Sequence, residues 1–240
     1  MQNRYTGDIG DFSKLGLLRA LSKAGFSIGL NWYLTPNETH NEDGKHTKYL
    51  YQAEQYRFLD SQLFDELKRI IDSDRREISE MEKPEILNAK FFSEILDFPN
   101  TSDIREVRRD WHSCALQEMK GNHIVCLDPD NGLIVPSATG TRRENKYVLR
   151  KELQDYYQQG SSVIYYQHKA RKKDEYYQEQ FGLLMGSFPD VTGIILKFKT
   201  TSQRYYMFLL HPQHTEKVKE TLSKMLQAGW EKHFQLLDER

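Results

Sequence analysis

The stretch "IVCLDPDNGL", residues 124–133, sets four apolar residues directly against two acids that flank a proline. Four apolar residues are too few for a helix but suit a strand buried on both faces. Open α/β sheets collect their chemistry just beyond the carboxyl ends of such strands. Other strands of the chain end in the same way. "FSIGLNWYL" (26–34) runs into "TPNETHNEDGKHTKY" (35–49), and "SSVIYYQH" (161–168) runs into "KARKK" (169–173). Each apolar run ends in a polar string, and these strings supply Asp43, His46, Asp128, Asp130, Asn131, His168, Lys169, Arg171 and Lys172.

Helical spacing fills the intervals between the strands. Leu15, Leu18 and Leu21 share a face in "SKLGLLRALSKAG" (13–25), with Ser13 expected as the cap and Gly25 as the stop. Further helices are predicted over 53–72, 85–97, 103–120, 146–160 and 172–188, and a last one from Thr215 to Gly229. "VTGIILKFK" (191–199) and "QRYYMFLLHP" (203–212), joined by a short polar link, read as an antiparallel hairpin. Strands alternating with helices define an α/β, Rossmann-like fold: a mainly parallel sheet flanked by helices, with a C-terminal antiparallel hairpin. Residues 1–240 are expected to form a single domain of this type, with 53–120 as a helical insertion or flank.

Composition excludes several classes. Lys+Arg 34 against Asp+Glu 35 gives a net charge of −1, so there is no global footprint for a polyanion or a membrane. Cys114 and Cys126 offer neither a disulfide framework nor a metal-finger spacing and are expected to be reduced core thiols. No stretch approaches the ~18 apolar residues of a membrane span, and a soluble, cytoplasmic protein is expected.

The segment before the first helix, "YTGDIGDFSK" (5–14), adds Asp8, Asp11 and Lys14 to the same rim. Carboxylates from separate loops suit a hard cation, Mg²⁺ or Mn²⁺, which needs only one or two protein acids beside water and substrate phosphate. On this reading Asp128, Asp130 and Asp43 hold the metal, and His46 and His168 move protons. Asp8, Asp11, Lys14, Asn131, Lys169, Arg171 and Lys172 then bind substrate. The reaction expected is metal-dependent, nuclease-like phosphodiester hydrolysis of nucleic acid or a nucleotide. Read singly, each string has a plainer meaning. D-P-D-N-G is good turn chemistry, Asp11 near a helix start suits the dipole, and "RRENK" (142–146) and "KARKK" can be solvated faces. His40 and His46, six residues apart, lack the spacing of a zinc helix.

"GDIGDFSKLGLL" (7–18) resembles the opening "G-N-x-A-D-V-x-K-H" motif of the J-type ribosomal RNA adenine-N6 methyltransferases, and "LDPDNG" (127–132) stands where that family carries "DPPY". The closing order of strand, helix, hairpin and helix is also similar to theirs. The resemblance implies a Rossmann-like methyltransferase fold, with Asp8, Asp11 and Lys14 at the donor and target pocket and Asp128 accepting a hydrogen bond from the target amine. The chain departs from that family where S-adenosylmethionine binds. The glycine-rich loop after the first strand is missing, and Asn131 replaces the stacking aromatic. A third reading is a catalytically inactive binding protein on this fold. Its partner would meet the tyrosine-rich C-terminal half: Tyr156, Tyr157, Tyr165, Tyr166, Tyr176, Tyr177, Tyr205 and Tyr206.

Overall fold

The computed structural model describes residues 1–38, 46–99, 103–200 and 202–240. Its frame is a seven-stranded sheet of order β2-β1-β3-β6-β8-β7-β9. The strands are β1 (Ile28–Asn31), β2 (Lys90–Phe92), β3 (Ile124–Leu127), β6 (Ser162–His168), β7 (Thr192–Phe198), β8 (Arg204–Leu210) and β9 (Phe234–Glu239). The two-residue strands β4 (Gly132–Leu133) and β5 (Tyr147–Val148) pair separately. β2, β1, β3 and β6 are mutually parallel, whereas β8 runs antiparallel to both β6 and β7. The chain therefore crosses from β6 to β7 with one place left open between them, and the hairpin turns back to fill it.

Period-two alternation sorts the strand residues into two cores. Ile28, Leu30, Ile124, Cys126, Ile164, Tyr206 and Phe208 face α1 (Ile9–Lys23), α3 (Ser61–Asp72) and α7 (Pro212–Gln227). Val125, Leu127, Val163, Tyr165, Tyr205 and Met207 face α4 (Ile104–Glu118), α5 (Arg150–Gln158) and α6 (Asp174–Met185). With both faces covered, all seven residues of β8 are buried. Truncating Phe208, which is fully buried, to alanine would cost about 3–5 kcal/mol.

Several expectations need correction. The helix over 85–97 is absent and β2 stands there, so the segment 53–120, expected as a helical insertion or flank, adds an edge strand to the sheet beside its helices. Phe91 stacks on Trp32 on one face and Phe92 meets Trp111 on the other, a period of two that three residues cannot announce in sequence. Helix 53–72 is broken into α2 (Ala53–Tyr56) and α3, because Asp60 caps α3 through the Leu63 amide. Helix α1 begins at Ile9, capped by Asp8 rather than Ser13. Ser13 sits inside α1, bonded to the Tyr206 hydroxyl at 2.7 Å. Helix α7 starts earlier than Thr215, with Pro212 in its first turn. Strand β9 escaped the sequence reading because only Phe234 of its six residues is buried, which leaves no apolar run to mark it. Cys126 is buried, with burial pushing its thiol upward, but Cys114 is exposed. Among the described residues no helix is long and apolar enough to cross a membrane.

Candidate functional site

A cavity of about 440 Å³ opens beyond the carboxyl ends of β1, β3 and β6. The α1 entry contributes Asp8, Asp11 and Lys14; the β3 exit contributes Asp128, Asp130 and Asn131; the β6 end contributes Tyr166 and His168. Tyr5, Glu38, His46, Lys146, Ser202 and Arg204 complete the polar lining.

Each charge is held by local structure. Asp8 caps α1, its Oδ1 accepting from the Asp11 amide at 3.0 Å. Asp11 answers by accepting from the Gly7 amide at 3.0 Å, where Gly7 takes the left-handed conformation (φ 79°). One helical turn on, Lys14 donates to Asp11 Oδ1 at 2.9 Å and across the rim to Asp128 Oδ2 at 2.6 Å. Its ammonium also lies 4.5 Å from the Trp32 ring. Burial pushes the Asp11 carboxyl up to about 6, against the pull of Lys14. Burial alone would lower the Lys14 ammonium, but Asp11 and Asp128 outweigh it and hold it above the usual range.

Asp130 has a separate partner. The Met1 ammonium stands 2.7 Å from its Oδ1, and Gln2 donates to its Oδ2 at 3.0 Å. Burial raises this carboxyl, yet the Met1 ammonium, the Gln2 hydrogen bond and Lys146 together more than offset the effect and hold it below the usual carboxylate range. Asp128 and Asp130 were expected to share a metal ion with Asp43. Instead each carboxylate has a cation of its own.

Met1 also occupies a definite place in the fold. Its nitrogen donates to Tyr33 O at 2.9 Å and Asp128 O at 3.3 Å, and its carbonyl accepts from the Thr35 amide at 2.8 Å. This main chain bridges the segments that leave β1 and β3. In sheets of this kind that crevice, where the strand order reverses, is where ligands usually bind.

The remaining expected residues divide. His46 lines the cavity and its carbonyl accepts from the Ile9 amide, while His168 lines it with Nδ1 3.3 Å from the Tyr166 hydroxyl. Asn131 is knit in by its backbone to Lys146 and His168. Lys169, Arg171 and Lys172 do not line the cavity. Lys169 donates to Lys172 O and pairs with Asp174 at 3.7 Å, Lys172 lies over Tyr176, and Arg171 is exposed. Asp43 and His40 lie outside the described residues. Among those described, no group of three or more His, Cys, Asp or Glu is arranged to hold a metal ion.

Sequence reasoning missed Arg204, Lys146 and Glu38. The rule of carboxyl ends passes over Arg204 because β8 runs backwards and brings its amino end to the rim, opposite His168 in register. Lys146, in the "RRENK" run read as a solvated face, pairs with Glu38 inside the cavity.

Fold and site together define an α/β, Rossmann-like protein with a charged, partly enclosed cavity at the carboxyl rim of its sheet. No protein-family model matches the chain, and no curated protein matches it. A search of solved structures finds a similarity to protein LPL1258 of Legionella pneumophila, which carries the family description DUF519. That chain is 12% identical over 97% of this chain and 96% of its own length, with a TM-score of 0.42.

Proposed function

We propose that the rim cavity is the active site of a phosphodiester hydrolase acting on nucleic acid or a nucleotide. The observation that carries this reading is the meeting, in one cavity, of acids and cations from the α1 entry, the β3 exit and the ends of β6 and β8. A phosphodiester needs a cation against its charge and a proton carrier for the attacking water. Arg204 meets the first need, and His46 or His168, both lining the cavity, meets the second. A Mg²⁺ or Mn²⁺ ion would arrive with the phosphate and rest on Asp8. That carboxylate has an oxygen, Oδ2, with no hydrogen-bond partner among the described residues, whereas Lys14 and Met1 already hold Asp128 and Asp130.

The test is hydrolysis of bis(p-nitrophenyl) phosphate and of a single-stranded oligonucleotide, with Mn²⁺ and with chelator. Turnover that needs Mn²⁺ and is lost in Asp8→Asn supports the proposal. No turnover under any of these conditions sinks it.

Methyl transfer is the second reading. It is favoured by the reversed strand β8 between β6 and β7, which fits the closing strand, helix and hairpin of the J-type methyltransferases, and by "LDPDNG" at the end of β3. The backbone of Met1 across the crevice weighs against it.

A further inference from the structure

Three cations line the cavity from named side chains, and two of them are already engaged. Lys14 is held by Asp11 and Asp128, and Lys146 by Glu38. Arg204 differs. It is 7% exposed, its Nε donates to Ser202 O at 3.0 Å, and its guanidinium lies 5.7 Å from the Tyr166 ring and 5.9 Å from that of Phe198. Among the described residues neither Nη1 nor Nη2 has a hydrogen-bond partner. Both nitrogens keep contact with the water of the cavity, where a ligand can meet them.

The chain also makes room for it. Gly10, in the first turn of α1, has ordinary helical backbone, but a Cβ there would overlap Arg204 Nη1. The helix start and the amino end of β8 are thus shaped around this one side chain. The rings of Tyr166 and Phe198 flank the guanidinium, and its planar fork suits two oxygens of one tetrahedral anion. Nearby, the carboxylates of Asp8 and Asp11 offset its charge, so a bound anion must meet the fork itself rather than a diffuse positive field.

We infer that Arg204 holds the phosphate of the ligand, through Nη1 and Nη2 together, and that the ligand is a phosphate ester. This rests on the rim cavity being the active site. The probes are inorganic phosphate and adenosine monophosphate, titrated calorimetrically into the full chain at fixed ionic strength. Wild type should bind both, and Arg204→Gln should lose at least tenfold in affinity. Arg204→Lys, which keeps the charge without the fork, should recover only part of the loss. Gly10→Ala keeps the arginine but displaces it, and should also weaken binding. It decides the matter if Arg204→Gln fails to fold. Absence of phosphate binding by wild type overturns the inference, as does unchanged affinity in folded Arg204→Gln or Gly10→Ala, or acetate competing as well as phosphate. Hydrolysis that persists unchanged in Arg204→Gln sinks this inference alone. Arg204-dependent phosphate binding without hydrolysis by wild type keeps it and sinks the hydrolase.

Discussion

Lys14 Nζ donates to Asp128 Oδ2 at 2.6 Å, joining residues 114 positions apart across the rim of the sheet. Both side chains are buried, and Lys14 also holds Asp11. The bond ties the start of α1 to the end of β3. Carboxylates that sequence alone presents as acids awaiting a metal are here compensated by the chain itself.

A stability prediction follows for Asp128→Asn. The variant keeps the shape but removes one of two charges from a buried ammonium, and should lose about 1.5–3 kcal/mol. Lys14→Met leaves two buried carboxylates without their cation and should lose more, about 3–5 kcal/mol. Urea unfolding checks both. An Asp128→Asn protein as stable as wild type would mean that Asp11 alone suffices to hold the Lys14 ammonium.

The raised carboxyl of Asp11 predicts a pH dependence. Its folded value of about 6 exceeds the ordinary 3.8, so below about 6 the folded state binds more protons than the unfolded one. This group's contribution to stability is fully present below about 4 and is lost as pH rises through 6. The stability of Asp11→Asn relative to wild type should therefore rise as pH goes from 5 to 7.5. Melting temperatures of the two proteins across that range give the difference, and a difference that stays flat would refute the shift.

How much was legible in the sequence depended on strand direction and length. β1, β3, β6 and the β7–β8 hairpin could be read because their residues are apolar on both faces, and the polar strings at the exits of β1, β3 and β6 marked the rim. Asp8, Asp11, Lys14, Asp128 and Asp130 could be named from that pattern. Their partners could not, since Lys14 could equally have pointed to solvent and nothing local says that Met1 reaches Asp130. β2 was lost because three residues carry too little period. Arg204 was lost because it begins a strand that runs against β6 and β7. Lys169, Arg171 and Lys172 fall outside the cavity, and a run of like charges beside a strand end looks the same in sequence whichever way it turns.

On the far side of the molecule from that rim, His214 meets two other imidazoles, His123 with ring centroids 5.6 Å apart and His211 at 6.3 Å, while its Nδ1 lies 2.9 Å from Ser162 Oγ. Burial, then His123, His211 and Lys217, lowers its pKa below the usual 6.5. The folded state thus takes up fewer protons here than the unfolded state does. Stability from this group is present above pH 6.5 and is lost as pH falls below it. His214→Gln should flatten the fall in melting temperature between pH 7 and 5. An identical fall in wild type and variant would place the acid sensitivity elsewhere.

The last prediction concerns S-adenosylmethionine. Binding of that cofactor in a Rossmann-like sheet needs a backbone free to approach it at the first strand's exit, which glycine permits and larger residues hinder. Here Trp32 and Tyr33 follow β1 and are fully buried, and the main chain of Met1 is bonded to Tyr33 O, Asp128 O and the Thr35 amide. A ligand entering between β1 and β3 must first break those bonds and then meet Asp130, whose cation it would have displaced. We expect no binding tighter than about millimolar, roughly −4 kcal/mol. Calorimetry on the full chain checks this, with Asp130→Asn as a second protein, because loosening Met1 should improve any latent affinity. A micromolar constant for wild type would show that the segment moves aside, and methyl transfer would then displace hydrolysis as the reading of the site.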